Sequence, residues 1–287
     1  MIKYSLNCLP SDTVTALKNV CPEFCLLPHH NHIVDMIVNK KLPATGCPLI
    51  TGRDLQGLHG NNTSSQSNWL SNSITDEYLR VLSIQPGNLK VEVLTWEEFE
   101  KSVGNKPAHA IVESKANLLD QDLILVPCNP WWSQHWFLLA VYPKQKSMVI
   151  LDSFVGDGDK LSWHQAIQKM ISLLKELNGS AKLQDWIIHA NEGKEIPQQG
   201  NTHNCGVYVC LFARTLVLGS PLVSQKSIPE VRKMMVLDIY LQQLQPILPK
   251  VICPGECYAV HYVSNFYNGR VVEVNSNGQF VKFKFLH

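Results

Sequence analysis

The run QQGNTHNCGVYVCLFARTLVLG, Gln198 to Gly219, constrains this chain more than any other stretch. Turn-prone residues (Gly200, Asn201, Thr202, Asn204) lead into Cys205, and Arg214 is the one formal charge between Cys205 and Gly219. A segment apolar on nearly every face and closed by a glycine predicts a helix buried in a globular core. It falls short of the roughly 20 apolar residues that span a bilayer. Cys205 is therefore expected where a polar loop meets the N-terminus of a buried helix. The partial positive charge of such an end favours thiolate over thiol, the state a nucleophilic cysteine needs.

The remaining segments predict the frame around that helix. LITGRDLQGL precedes a polar loop, and NWLSNSITDEYLRVLS predicts a helix to about Ser83, capped by Ser73 and Asp76. KVEVLT reads as a short strand, and Thr95 with Glu98 forms a capping box for a brief helix around WEEFEKS. DLILVPC reads as a strand. WFLLAVYP and SMVILDSF, separated by Lys144, Gln145 and Lys146, give a hairpin signal. A turn centred near Lys144 sets residue 136 opposite residue 152, which brings His135 and Asp152 to the same open end. Ser162 and Gln165 predict a helix to about Leu177, WIIHA a strand, and Ser227 with Glu230 a last helix ending before Pro246. Mixed elements without βαβ alternation predict an α+β domain over residues 49–250. Pro43, Gly46 and Pro48 separate it from residues 1–48, an extension of unclear structure in which Cys21, Cys25, His29, His30 and His32 are candidate metal ligands. No second cysteine pair stands at a finger-like spacing, so no metal is assigned. Residues 254–287 read as a small β-meander with Asn-Gly turns at Asn268–Gly269 and Asn277–Gly278.

A cysteine nucleophile needs a base, a group to orient that base, and donors for the developing oxyanion. His135 and Asp152 supply the first two from the hairpin. Gln199 and the backbone N–H of Cys205 supply the donors. Taken singly, each residue also fits a plain structural role, since buried cysteines and core tryptophans are common; the joint arrangement carries the reading. Cys210, further into the helix, is assigned to the core. The compartment agrees: nine cysteines, an odd number without regular spacing, and a start (MIKYSLNCLPSD) lacking a signal peptide's apolar run predict an intracellular, reducing environment. Nothing separates nucleus from cytoplasm. A net charge of +1 gives no argument for nucleic acid or an anionic membrane.

The motifs His135–Trp136, Leu151–Phe154 (LDSF) and Gln199–Gly206 (Q-x5-C-G), with Trp69–Asn72 (WLSN) upstream, resemble those of the ubiquitin-like-protein proteases. These are the SUMO/sentrin-specific type of cysteine peptidase, with a papain-like His-Asp-Cys catalytic domain. The resemblance runs in family order over about 200 residues. It implies Cys205 as nucleophile, His135 as general base and then acid, Asp152 as orienting acid and Gln199 in the oxyanion hole. Trp69 and Trp136 match the aromatics that flank the family's narrow tunnel for a Gly-Gly tail, a shape that only glycines pass. The implied fold has a central mixed sheet, a buried helix starting at the nucleophile and, here, a small C-terminal β-meander. The implied activity is hydrolysis after the Gly-Gly tail of a ubiquitin-like modifier, SUMO- or NEDD8-type, or of its conjugates, with no cofactor. One departure stands out: the family's WLND is WLSN here, so Asn72 lacks the charge of an acid that lies near the modifier surface in family members. Two other readings stay open, an acyltransferase using the same triad and a non-catalytic module that binds the modifier.

Overall fold

A computed structural model describes residues 2–6, 9–21, 23–24, 26, 28–39, 50–59, 69–87, 89–102, 117–155, 159–178, 182–191, 195–245, 247, 257–262, 265–274 and 281–285. Its centre is a six-stranded mixed sheet in the order β1-β7-β6-β5-β4-β3. The strands are β1 (Ile2–Tyr4), β3 (Val91–Val93), β4 (Leu123–Cys128), β5 (Phe137–Tyr142), β6 (Ser147–Leu151) and β7 (Ile187–Ala190). Strands β4, β5 and β6 are apolar at almost every position because both faces of the sheet are covered. Alternate residues go to opposite sides, as the pleat requires. Leu123, Leu125, Leu138, Ala140, Val149 and Leu151 join one core cluster, whereas Ile124, Val126, Leu139, Val141, Met148 and Ile150 join the other.

Helices α1 (Ser11–Lys18), α2 (Pro28–Val38), α3 (Gly52–His59), α4 (Asn72–Ser83), α7 (Cys205–Leu218) and α8 (Ile228–Leu241) contribute to the first cluster, and α5 (Trp96–Lys101) and α6 (Asp159–Asn178) to the second. Helix α7 has every residue from Cys205 to Leu216 buried, and Gly219 ends it in the left-handed conformation at φ 66° that glycine adopts without strain. It packs against α1, α4, α8 and β5. The N-terminal segment is woven into this body. Strand β1 pairs in parallel with β7, and β2 (Val20–Cys21) pairs with β8 (Leu222–Val223) just after α7. Strands β11 (Val281–Phe285), β10 (Asn265–Val274) and β9 (Cys257–Tyr262) form a separate antiparallel sheet.

The strands, the capping box at Thr95 and the buried helix follow the sequence reading. Several details do not. The hairpin register is shifted by one: Leu138 pairs with Leu151, where a turn centred on Lys144 would set Phe137 opposite Leu151. The four-residue connection Pro143–Lys146, with Lys146 left-handed at φ 49°, centres the turn between Lys144 and Gln145. Helix α4 is capped by Ser71, whose hydroxyl accepts from Ile74 N at 3.3 Å, and not by Ser73 and Asp76. Helix α6 begins at Asp159, so Ser162 lies within its first turn. Ser227 does precede α8, but its hydroxyl accepts from Phe24 N at 2.9 Å, and Glu230 takes Leu26 N at 3.3 Å; this polar pair fastens the N-terminal segment. Asn268 and Gly269 lie inside β10, paired with Ala259 and Tyr258, and do not form a turn. Pro43, Gly46, Pro48, Cys25 and Asn277–Gly278 lie outside the described residues, as does the side chain of His29. Among the described residues no group of His, Cys, Asp and Glu is arranged to hold a metal, and no helix is long and apolar enough to cross a membrane.

Candidate active site

The site is built from the end of the β5–β6 hairpin and the start of α7. His135 lies two residues before β5 and Asp152 immediately after β6, so antiparallel pairing delivers both to one end. His135 Nε2 bonds Asp152 Oδ1 at 2.7 Å. That leaves Nδ1 for a reacting partner, and Cys205 lies near enough to the ring to influence its charge. Burial opposes charge on His135, but the hydrogen bonds and negative charge of Asp152 and Cys205 outweigh it and raise its pKa to about 10.

The sign of this shift sets a pH dependence. An imidazolium with a raised pKa keeps its favourable pairing below its ordinary value and loses it as pH rises through about 10. We expect kcat/KM to hold until within about one unit of that value and then fall. In Asp152→Asn the falling limb should move down by more than about one unit, checked by pH–rate profiles of the two proteins.

Asp152 is fully buried and its carboxylate is held on both oxygens. Oδ1 also accepts from Phe154 N at 2.8 Å, and Oδ2 accepts from the indole of Trp163 at 3.0 Å. Asn191, at the end of β7, brackets the same residue by accepting from Asp152 N at 2.7 Å and donating to its carbonyl at 3.0 Å. The acid is therefore fixed in position and presents one lone-pair direction to His135. Periodicity placed Trp163 in the core of α6, where it is, but gave no sign that its N–H reaches a carboxylate. Asn191 carried no signal at all.

Gln199 is tied to the acid's neighbour: Ser153 Oγ donates to its Oε1 at 2.9 Å, and Gln199 N donates to Ser153 O at 2.7 Å. Gln199 Nε2 donates to Asn201 O at 2.7 Å, which uses one of the two hydrogens of the amide and leaves the other as a donor. Asn201 Oδ1 accepts from His203 N and Asn204 N, both at 3.1 Å, and this shapes the loop into Cys205. Buried Arg232 of α8 bonds Asn204 Oδ1 at 3.0 Å and His203 O at 3.3 Å, holding the residues that precede Cys205. Burial pushes Arg232 down to about 10 against the pull of Cys205 and Cys210, so it remains a cation behind the thiol.

The two tryptophans stand apart in exposure. Trp136 is buried in the core cluster that contains Cys205, whereas Trp69 is half-buried and lines a cavity of about 90 Å³ with Asp54, Leu58, Leu70 and Ser71. Gly206 connects Trp69 to Cys205: a Cβ there would lie 3.0 Å from Leu70 Cβ, so the chain after Trp69 rests directly on the residue after Cys205. This is the physical content of the Cys-Gly pair. Gly206→Ala is expected to force Leu70 aside, destabilising the fold by about 1–3 kcal/mol. It should also lower kcat/KM by about ten-fold through the shifted Trp69, measured by thermal unfolding and by substrate turnover.

A thiol at the start of a buried helix, with an imidazole and carboxylate delivered by the neighbouring sheet, defines a papain-like cysteine-nucleophile architecture. Residues 92–247 match the family described as "Ulp1 protease family, C-terminal catalytic domain", and the chain belongs to that family. Its relatives include human sentrin-specific protease 2, 27% identical over 205 residues, which cover 68% of this chain and 33% of that protein. Mouse sentrin-specific protease 5 is 31% identical over 120 residues, 42% of this chain and 15% of that protein. The chain thus spans about a third or less of the length of these relatives. Two solved structures share the fold. One is the C-terminal Ulp1 protease domain in complex with Smt3, the yeast ortholog of SUMO, with a TM-score of 0.60 and 18% identity over 76% of this chain and 96% of that one. The other is the Chaetomium thermophilum Ulp1-like SUMO protease catalytic domain, with a TM-score of 0.58 and 18% identity over 79% and 95%.

Proposed function

We infer that this chain is a cysteine peptidase and isopeptidase that cleaves after the Gly-Gly tail of SUMO or its conjugates. The observation that carries the reading is the His135–Asp152 pair at 2.7 Å, set close to a thiol at a helix start. Cys205 Sγ attacks the carbonyl carbon of the terminal glycine, and the oxyanion takes donors from Cys205 N–H and the second Gln199 hydrogen. The carbon–nitrogen bond breaks as imidazolium His135 gives its proton to the leaving amine, which leaves a thioester. Neutral His135 then takes a proton from water, the hydroxide adds to the thioester, and the thiolate departs from a glycine carboxylate.

Access supports the choice of tail. Cys205 and Trp136 are each 2% exposed, which suits a narrow approach by a tail without side chains. SUMO is favoured over NEDD8 because the named relatives are sentrin-specific and a fold neighbour is a complex with Smt3. At the WLSN motif, Asp54 accepts from Ser71 Oγ at 3.2 Å, so α3 supplies a carboxylate at the motif where Asn72 lacks one. Residues 49–250 carry every group of this chemistry, and Ile2–Tyr4 adds the edge strand β1 to the sheet. Fluorogenic aminocoumarin amides of SUMO, NEDD8 and ubiquitin test the reading. SUMO is expected to be turned over fastest. No release from any of the three by folded protein with a reduced thiol would refute it.

A further inference from the structure

Among the described residues eight large apolar side chains are exposed, and four of them gather at the His135 end of the site: Trp131, Trp132, Phe154 and Leu161. Two sets of contacts, joined through the chain at Trp132–Ser133, place them on the His135 side of the site. The Phe154 ring lies 6.1 Å from the His135 ring, and Ser133 Oγ donates to His135 O at 3.5 Å. Trp131 meets Trp132 edge-on at 5.6 Å, and Trp132 donates its indole N–H to Ser162 Oγ at 3.2 Å, beside Leu161. The strip is held in shape. Ser133 N and Gln134 N both bond Pro130 O, and Gln134 takes a left-handed conformation at φ 49° that turns the chain inward to His135 while Trp131 stays outside, 77% exposed. Behind Trp132 opens a cleft of about 190 Å³ walled by Trp96, Phe99 and Pro130, large enough for one apolar side chain.

Clustered exposed aromatics on a soluble surface mark a binding face, since scattered single residues would need no partner. Chemistry identifies the partner. His135 must hand its proton to the leaving amine from within hydrogen-bond distance, so the polypeptide bearing that amine passes over whatever flanks His135. On the same reading, the modifier's tail approaches past Trp69 and Trp136. Resting on the reading of Cys205 as a Gly-Gly isopeptidase, we propose that Trp131, Trp132, Phe154 and Leu161 form the leaving-side surface, which receives an apolar segment of the modified protein next to its conjugated lysine. The enzyme then selects among conjugates by the target sequence, in addition to the modifier.

The test compares leaving groups. One substrate is the aminocoumarin amide of SUMO, whose leaving group is too small to reach Trp131. The others are SUMO joined through a lysine side chain to two peptides, one with Leu and Phe flanking the lysine and one with Ser in their place. The variants are Trp131→Ser and Leu161→Ser, both exposed, with folding checked by thermal unfolding. The wild type should prefer the apolar peptide over the serine peptide. In the variants the ratio of kcat/KM for the apolar conjugate to that for the aminocoumarin should fall about ten-fold, as for loss of an interface anchor. An unchanged ratio overturns the proposal. An equal fall on all substrates assigns the strip to the modifier or the fold and also overturns it. Self-association of the wild type that both variants abolish, with the ratio unchanged, gives the strip to a second copy of the chain and overturns it too. If the wild type cleaves no SUMO substrate, the isopeptidase reading itself fails, a result distinct from each of these.

Discussion

Cys205→Ala is expected to lower kcat by about 10⁵–10⁶-fold while the chain stays folded, because the variant loses the thiol assigned above to the thioester and little else. The substitution removes one sulfur atom from a buried site and costs about 1 kcal/mol of stability or less. Cys210→Ala is the matched control. Its thiol is wholly buried one turn and a half along the same helix, and burial pushes its pKa well up, so it stays protonated and inert. Turnover of SUMO aminocoumarin by the two variants, with thermal unfolding of each, checks the pair. Comparable activity loss in both would mean that the helix, and not the thiol, is being perturbed.

Asp238→Ala should be the most destabilising single change outside the site, by about 3–5 kcal/mol, since it strands the charge of Arg214 in the interior. Arg214 on α7 is 1% exposed, and its Nη1 donates to Tyr78 Oη of α4 at 2.9 Å and to Asp238 Oδ2 of α8 at 3.0 Å. Tyr78 Oη donates to the same carboxylate at 3.3 Å, Gln245 N donates to Oδ1 at 2.6 Å, and Arg214 also bonds the Gln245 carbonyl. Three helices are pinned at one point; one of them begins at Cys205, and α4 follows Leu70 after its cap Ser71. Against a total stability of about 5–15 kcal/mol for a domain, the loss is large enough to read directly in a denaturant titration. The paired change Arg214→Met with Asp238→Leu removes both charges together and should lie within about 2 kcal/mol of the parent. If the single and double variants are equally unstable, packing rather than charge is the cause.

The parts of this molecule that announce themselves in sequence are those fixed by local pattern. A helix apolar on all sides can only be buried, so α7 was legible, and so was its glycine stop. Strands β4 to β6 were legible because continuous branched apolar runs suit a sheet covered on both faces. The joint position of His135 and Asp152 survived a register error of one residue, since both lie beyond the paired ends of their strands. What stayed hidden depends on contacts distant in the chain. Strand β1 reads as nothing in particular because its partner is β7, about 186 residues away in the register. Ser227 and Glu230 look like a cap because the alternative acceptors' partners, Phe24 and Leu26, lie some 200 positions earlier. Trp163 and Asn191 read as core and loop because only the folded chain brings them to Asp152.

The central claim is that Cys205, and no other thiol, meets the end of the SUMO tail. SUMO carrying a C-terminal propargylamide places an alkyne where the scissile carbonyl would sit, and peptide mapping of the product reads which sulfur reacted. The account predicts a single vinyl thioether at Cys205, absent from Cys205→Ala. An adduct at Cys210 or another cysteine, or no adduct on folded protein with Cys205 reduced, would contradict it.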